Sequence, residues 1–192
     1  MDLKKWIADV PDFPTAGILF RDITPLLQNA EAFGEAIQQM SDYVKATNAN
    51  VIVGPESRGF IFGTPVANAL KIGFVPVRKP GKLPRKTISK KYDLEYGSNE
   101  LHMHEDAIKP GDKVVLVDDL LATGGTVKAA ISMIEQLGGE VVGCCFLIEL
   151  EALEGRKVLE GYPIHSFIIY GMRSTLMMGN GILLIHVKET RN

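Results

Sequence analysis

A chain of 192 residues with 46% apolar side chains fits one domain with a substantial core. A formal charge of −2 gives no overall basic field for nucleic acid or a membrane surface, and no apolar run nears the roughly 20 residues that span a bilayer. The opening Met1-Asp2-Leu3-Lys4-Lys5-Trp6 lacks the apolar stretch of a signal peptide, so a cytoplasmic location is expected.

Phe13 to Pro25 shows neither helical nor strand periodicity and reads as an irregular cap over the sheet ends. Phe33, Ile37, Met40 and Val44 recur at helical spacing, which predicts an amphipathic helix over about 30–46. Val51-Ile52-Val53 is a short strand running into Gly54-Pro55-Glu56-Ser57-Arg58-Gly59, and Phe60 to Leu70 reads as a helix despite Gly63 and Pro65. Phe74 to Val77 is the next strand. A basic loop carrying Arg78, Lys79, Lys82, Arg85, Lys86, Lys90 and Lys91 follows it. Leu101-His102-Met103-His104 suggests an extended arm, and Lys109-Pro110-Gly111-Asp112 turns the chain. Val114 to Val117 is too short an apolar run for a typical helix and reads as a buried strand ending on Asp118 and Asp119.

The helix from Gly125 is expected to stop at Gly138-Gly139, and Val141 to Leu150 and Ile164 to Ile169 supply two more strands. Cys144 and Cys145 are neighbours on such a strand and point to opposite faces, so they are expected to be buried free thiols of a reducing compartment. Trp6 and Tyr43 read as packing residues. Strands alternating with helices predict an α/β fold, a doubly wound, mainly parallel sheet flanked by helices. Ligands of such sheets sit at the carboxyl ends of the strands, where the loops after Val53, Val77 and Val117 open.

Each of these loops carries its own chemistry. Gly54 to Phe60 combines backbone amides, a guanidinium and a helix start, which suits a pyrophosphate. The segment from Arg78, hinged by Pro80, Gly81 and Pro84, suits a mobile lid over an anion. After Val117 two carboxylates precede the small residues Ala122-Thr123-Gly124-Gly125 and a helix start at Thr126. Loop amides and the positive helix end can hold a phosphate, while the carboxylates can accept from the hydroxyls of an attached ribose. His102 and His104 would share one face of an extended segment, but no third ligand stands at a suggestive spacing for a metal.

The ordered string Val114 to Thr126 resembles the phosphoribosyl-pyrophosphate (PRPP) binding motif of the type I phosphoribosyltransferases. Phe20-Arg21-Asp22-Ile23-Thr24-Pro25, Gly54 to Phe60, Arg78 to Pro84 and Tyr92-Asp93-Leu94-Glu95-Tyr96-Gly97 are similar to the adenine branch of that family. The resemblance covers residues of about 3 to 170. It implies one domain over 1–170, with a small N-terminal hood over about 1–28 and a mobile lid over about 78–100. It also implies the activity, transfer of the 5-phosphoribosyl group of PRPP to adenine in purine salvage, giving AMP and pyrophosphate.

By the same resemblance Asp118 and Asp119 would lie under the ribose hydroxyls, and Ala122, Thr123, Gly124, Gly125 and Thr126 around the 5′-phosphate. Glu56, Ser57, Arg58 and Gly59, with Arg78, Lys79 and Lys82, would bind pyrophosphate, Arg58 also serving catalysis. Phe20 and Leu120 would sandwich the purine, backbone groups of Leu19 and Arg21 would read its edge, and Glu95 would exchange a proton with N7. Mg²⁺ would be held by PRPP oxygens and water, with no dedicated protein site. A homodimer is implied, without nucleic-acid or membrane partners.

Two alternatives stay open, an enzyme for xanthine or hypoxanthine and a PRPP-sensing regulator. The basic lid and Glu95 would have no purpose in a pure sensor. The chain departs from the family after Tyr170. Residues 171–192 continue, with Gly179-Asn180-Gly181 between two apolar runs suggesting a hairpin, and no function is assigned to them.

Overall fold

The N-terminal segment folds on itself before the main sheet begins. In the computed structural model, which describes residues 1–93 and 98–171, a 3-10 turn at Leu3–Trp6 leads into β1 (Ala8–Pro11), paired antiparallel with β2 (Leu19–Asp22). This hairpin and the short helix α1 (Thr24–Gln28) correct the expectation of an irregular cap over Phe13 to Pro25. Strands of four residues, of which only Arg21 is buried, carry no apolar alternation to be read; the turn between them is tied by Asp12, which accepts from the Gly17 amide at 2.7 Å. Glu95 and the extension 172–192, with its expected hairpin, lie outside the described residues.

Helix α2 (Ala30–Ala46) has the predicted bounds. Asn29 caps it by accepting from the Ala32 amide at 2.9 Å, and Ala32, Ala36, Met40 and Val44 make its buried stripe. Then come β3 (Val51–Pro55), α3 (Arg58–Leu70) and β4 (Gly73–Val77). Gly63 has a packing reason to stand inside α3, since a Cβ there would lie 2.6 Å from the Phe74 ring. The chain continues through β5 (Thr87–Asp93) and β6 (Ser98–His104), which pair antiparallel as an arm. Lys90 and Lys91, read as part of a loop, therefore lie on a strand.

Strand β7 (Lys113–Leu121) is followed by α4 (Gly125–Gln136), β8 (Glu140–Leu150), a 3-10 turn at Glu151–Leu153, α5 (Gly155–Val158) and β9 (Ile164–Tyr170). Rather than ending at the acidic pair, β7 runs through it to Leu121, because the long β8 offers it partners as far as Glu149. Five parallel strands form the main sheet in the order β4-β3-β7-β8-β9.

Both faces are covered. Val114, Leu116 and Cys144 pack with α4 and with Leu101 and Met103 of the arm, while Val115, Val117 and Cys145 pack under α2 and α3. This is why β3 and β7 read as unbroken apolar runs. The two cysteines are unbridged and buried in opposite layers, as predicted, and burial pushes the Cys144 thiol up to about 12 and the Cys145 thiol upward as well. Trp6 and Tyr43 are partly buried against the core, also as predicted. No helix among the described residues is long and apolar enough to cross a membrane.

The strand order fixes where a ligand can sit. β4 lies on one side of β3, and the later strands step away on the other, so the winding reverses between β3 and β7. In open sheets of this kind the crevice beyond the strand ends at the reversal is the binding place.

Candidate active site

At that crevice β3 passes to α3 through Glu56 and Ser57, joined by a cis peptide, and β7 passes to α4 through Ala122 to Gly124. Arg58, the first residue of α3, bridges the two: its Nε lies 3.1 Å from Asp119 Oδ2. Asp119 is buried, and Oδ2 has no aligned hydrogen-bond donor, so the contact with Arg58 is one of charge. Asp118 Oδ1 accepts from the Asp119 amide at 2.8 Å. Burial, and next the neighbouring Asp119 charge, pushes Asp118 well above the ordinary carboxylate range. Burial also raises Asp119, against the pull of Arg58. A buried carboxyl oxygen short of an aligned donor is costly until a hydroxyl meets it.

Two helices start at this pair. A Cβ on Gly59 would stand 2.8 Å from the Pro55 ring and 3.1 Å from Asp118 Oδ1, so glycine lets α3 begin against the acids. Gly124 begins α4 at φ +84, in the left-handed region that glycine tolerates. No side chain caps either helix by a hydrogen bond, and both present the positive end of a helix dipole at the crevice.

The Ala122–Gly125 loop is braced from behind by a contact that sequence reasoning missed. A Cβ on Gly155 would stand 2.4 Å from the Ala122 carbonyl oxygen and 2.8 Å from Leu121. Arg156 holds α5 in place, its Nε and Nη2 donating to the buried Glu149 carboxylate at 2.7 and 2.8 Å. An acid inside the otherwise apolar β8 was the available signal.

The remaining expected residues arrive from three directions. Phe20 on the hairpin has the Arg58 guanidinium 5.7 Å from its ring, which brings β2 to the acidic pair. Arg21 is buried, paired with Asp9 and lying 3.7 Å over the Tyr170 ring, while Leu19 stands two residues before it on β2. Leu120 follows Asp119 on β7 and is half-buried. Glu56 faces the lid segment: Oε2 accepts from Arg78 Nε and Nη2 at 3.1 and 2.9 Å, and Oε1 from the Lys79 amide at 2.6 Å. Burial acts to raise Glu56, but the Lys79 amide and the Arg78 guanidinium hold it below its usual value. Arg78 Nη1 also reaches the Lys82 carbonyl at 3.4 Å, and Lys79 and Lys82 are exposed.

His102 and His104 do share β6 but engage Glu100 and Arg85 respectively, and among the described residues no three His, Cys, Asp or Glu side chains gather for a metal. Two hollows, of about 220 Å³ beside the N-terminal turn and about 510 Å³ along α2, contain none of the expected site residues.

Residues 22–172 match the phosphoribosyl transferase domain family. Over 168 residues the chain is 61% identical to the adenine phosphoribosyltransferase of Halothermothrix orenii, covering 88% of this chain and 99% of that protein. The chain belongs to the adenine phosphoribosyltransferase family. The crystal structure of the adenine phosphoribosyltransferase from Thermoanaerobacter pseudethanolicus is 50% identical at a TM-score of 0.85, over 88% of this chain and 98% of that one. That from Saccharomyces cerevisiae, solved with D-2,5-dideoxy-2,5-imino-altritol 1,6-bisphosphate and adenine, is 39% identical at 0.81, over 86% and 96%. Membership in the adenine phosphoribosyltransferase family makes this chain a pentosyltransferase of purine salvage.

Proposed function

We propose that the crevice between β3 and β7 joins adenine to PRPP and releases AMP and pyrophosphate. Carbon 1 of the ribose becomes cation-like as pyrophosphate leaves, so the site must stabilise positive charge at the ring and negative charge on the leaving group together. Asp118 and Asp119 accept from the ribose hydroxyls, and Asp119, held against Arg58, sets negative charge beneath the ring. Ala122, Thr123, Gly124, Gly125 and Thr126 enclose the 5′-phosphate at the start of α4. Ser57, Arg58 and Gly59, at the start of α3, take the pyrophosphate together with Lys79, Lys82 and Arg78, while Glu56 keeps Arg78 in place. Phe20 and Leu120 cover the purine, whose edge meets the backbone of Leu19 and Arg21, and Glu95 exchanges a proton with N7.

The observation that carries this reading is Asp119 Oδ2, buried, 3.1 Å from Arg58 Nε and without an aligned donor. An anion and a cation fixed side by side match a transition state that separates the same two signs. The residues fit an Mg²⁺ carried in on PRPP, where it would neutralise the departing pyrophosphate. The working unit is proposed to be a homodimer in the cytoplasm, a reducing compartment that the free thiols suit.

Steady-state rates with adenine, hypoxanthine, guanine and xanthine, each with PRPP and Mg²⁺, test the reading. A pocket of backbone donors and acceptors fitted to adenine should prefer it by about 10⁴ or more, since a mismatched base leaves buried polar groups unpaired. Equal efficiency on hypoxanthine would move the chain to another purine.

A further inference from the structure

Tyr92 is the point where the β5–β6 arm touches the phosphate loop. Its ring lies against Gly125, where a Cβ would stand 3.3 Å from Tyr92 Cδ2. Its hydroxyl oxygen lies 3.2 Å from Thr126 Oγ1 and accepts from Asn99 Nδ2 at 3.4 Å. All three residues are part-buried. The arm therefore meets two of the five residues assigned to the 5′-phosphate, one by packing and one by a hydrogen bond.

Proton counting decides what the hydrogen bond can do. A threonine hydroxyl has a single proton and two lone pairs. In this structure Thr126 Oγ1 and the Tyr92 hydroxyl lie 3.2 Å apart, a distance at which either can donate to the other. A bound phosphate is an acceptor, so a Thr126 hydroxyl that binds it must turn its proton away from Tyr92. The phenol can then donate to Thr126 Oγ1, because a tyrosine hydroxyl both donates and accepts. The resulting chain runs one way, from Tyr92 O–H to Thr126 O–H to the phosphate oxygen, and each bond polarises the next. A Tyr92 that served only as packing would need its ring and no hydroxyl.

We propose that Tyr92 is a positioning residue for the 5′-phosphate, acting through the hydroxyl of Thr126. The inference rests on the reading of Ala122 to Thr126 as the phosphate loop. Affinities for AMP and for pyrophosphate, both with Mg²⁺, would be measured by calorimetry on the wild type, Tyr92→Phe, Thr126→Val and the double variant.

Tyr92→Phe keeps the ring on Gly125 and should weaken AMP by about 3- to 10-fold, the worth of one hydrogen bond, with pyrophosphate affinity unchanged. Thr126→Val should weaken AMP at least as much, and adding Tyr92→Phe to it should cost nothing more. Unchanged AMP affinity in Tyr92→Phe, an equal loss for pyrophosphate, or multiplying effects in the double variant would each overturn the proposal while leaving the loop reading intact. Unchanged AMP affinity in Thr126→Val would remove the Thr126 hydroxyl from the phosphate site and overturn this inference with it.

Discussion

Asp119 on β7 is 3% exposed, and its Oδ2 faces a charge without an aligned donor, whereas Arg78, where the chain leaves β4 for the arm, is one-third exposed and donates twice to Glu56. The two positions show two ways of holding charge. On the sheet side, a strand buried on both faces forces the Asp119 carboxylate into a place that water cannot serve, so its unmet demand is present before substrate arrives. On the arm side, cations lie on exposed segments and answer to nearby acids, Arg78 to Glu56 and Arg85 to Asp106. The first arrangement suits transition-state stabilisation, where donors and charges must not reorganise. The second suits capture and release of an anion, where exchange of partners is the function.

The contrast would break most sharply at Glu95, which belongs to the arm in sequence yet is assigned a chemical step. Glu95→Gln should lower the single-turnover rate by about 10²–10⁴, with PRPP affinity nearly unchanged. A wild-type single-turnover rate would confine chemistry to the sheet side. Asp119→Asn comes next: turnover should fall on the order of 10²–10³ with circular dichroism unaltered, and near-normal turnover would show that the buried charge is not needed.

Gly155→Ala asks whether the sheet side works by rigidity, because its Cβ would press on the Ala122 carbonyl. Urea unfolding should show a loss of about 1–3 kcal/mol from overpacking, with a raised KM for PRPP. An unchanged KM would mean that the loop tolerates displacement.

Glu56→Gln gives the smallest effect. The folded state holds Glu56 below its usual value, so its stabilisation is complete above the ordinary glutamate pKa and fades as pH falls through the folded one. Wild type and variant should differ by about 1 kcal/mol or less at pH 7, converging as pH falls below the ordinary glutamate range. A gap that widens on acidification would contradict that sign.

Much of the sheet side was legible because its constraints are local in sequence. Val51 to Val53 and Val114 to Val117 show their burial as unbroken apolar runs, and α2 shows its helical spacing, although Ala32 and Ala36 rather than Phe33 and Ile37 are buried beside Met40 and Val44. The acidic pair and the glycine loop follow in one string, although the reach of β7 to Leu121 depends on how long β8 happens to be. The arm was harder to read. Ser89, Lys90 and Lys91 look like solvated loop, and only pairing with His102, Leu101 and Glu100 makes them a strand. The β1–β2 hairpin was missed for the same reason, being four residues long and held by its partner. Gly155 was invisible because its meaning is a distance to Ala122, thirty-three positions away.

Cys144 and Cys145 give this architecture a means of watching itself open. Each thiol is sealed in a different layer and kept protonated by burial, so a thiol-specific reagent can react only after the layer above it lifts. Modification at Cys144 times the excursions of α4 and the arm, and modification at Cys145 those of α2 and α3. Adjacent in sequence, the pair forms a two-channel clock: a substrate that quiets one channel and not the other would reveal which layer it clamps.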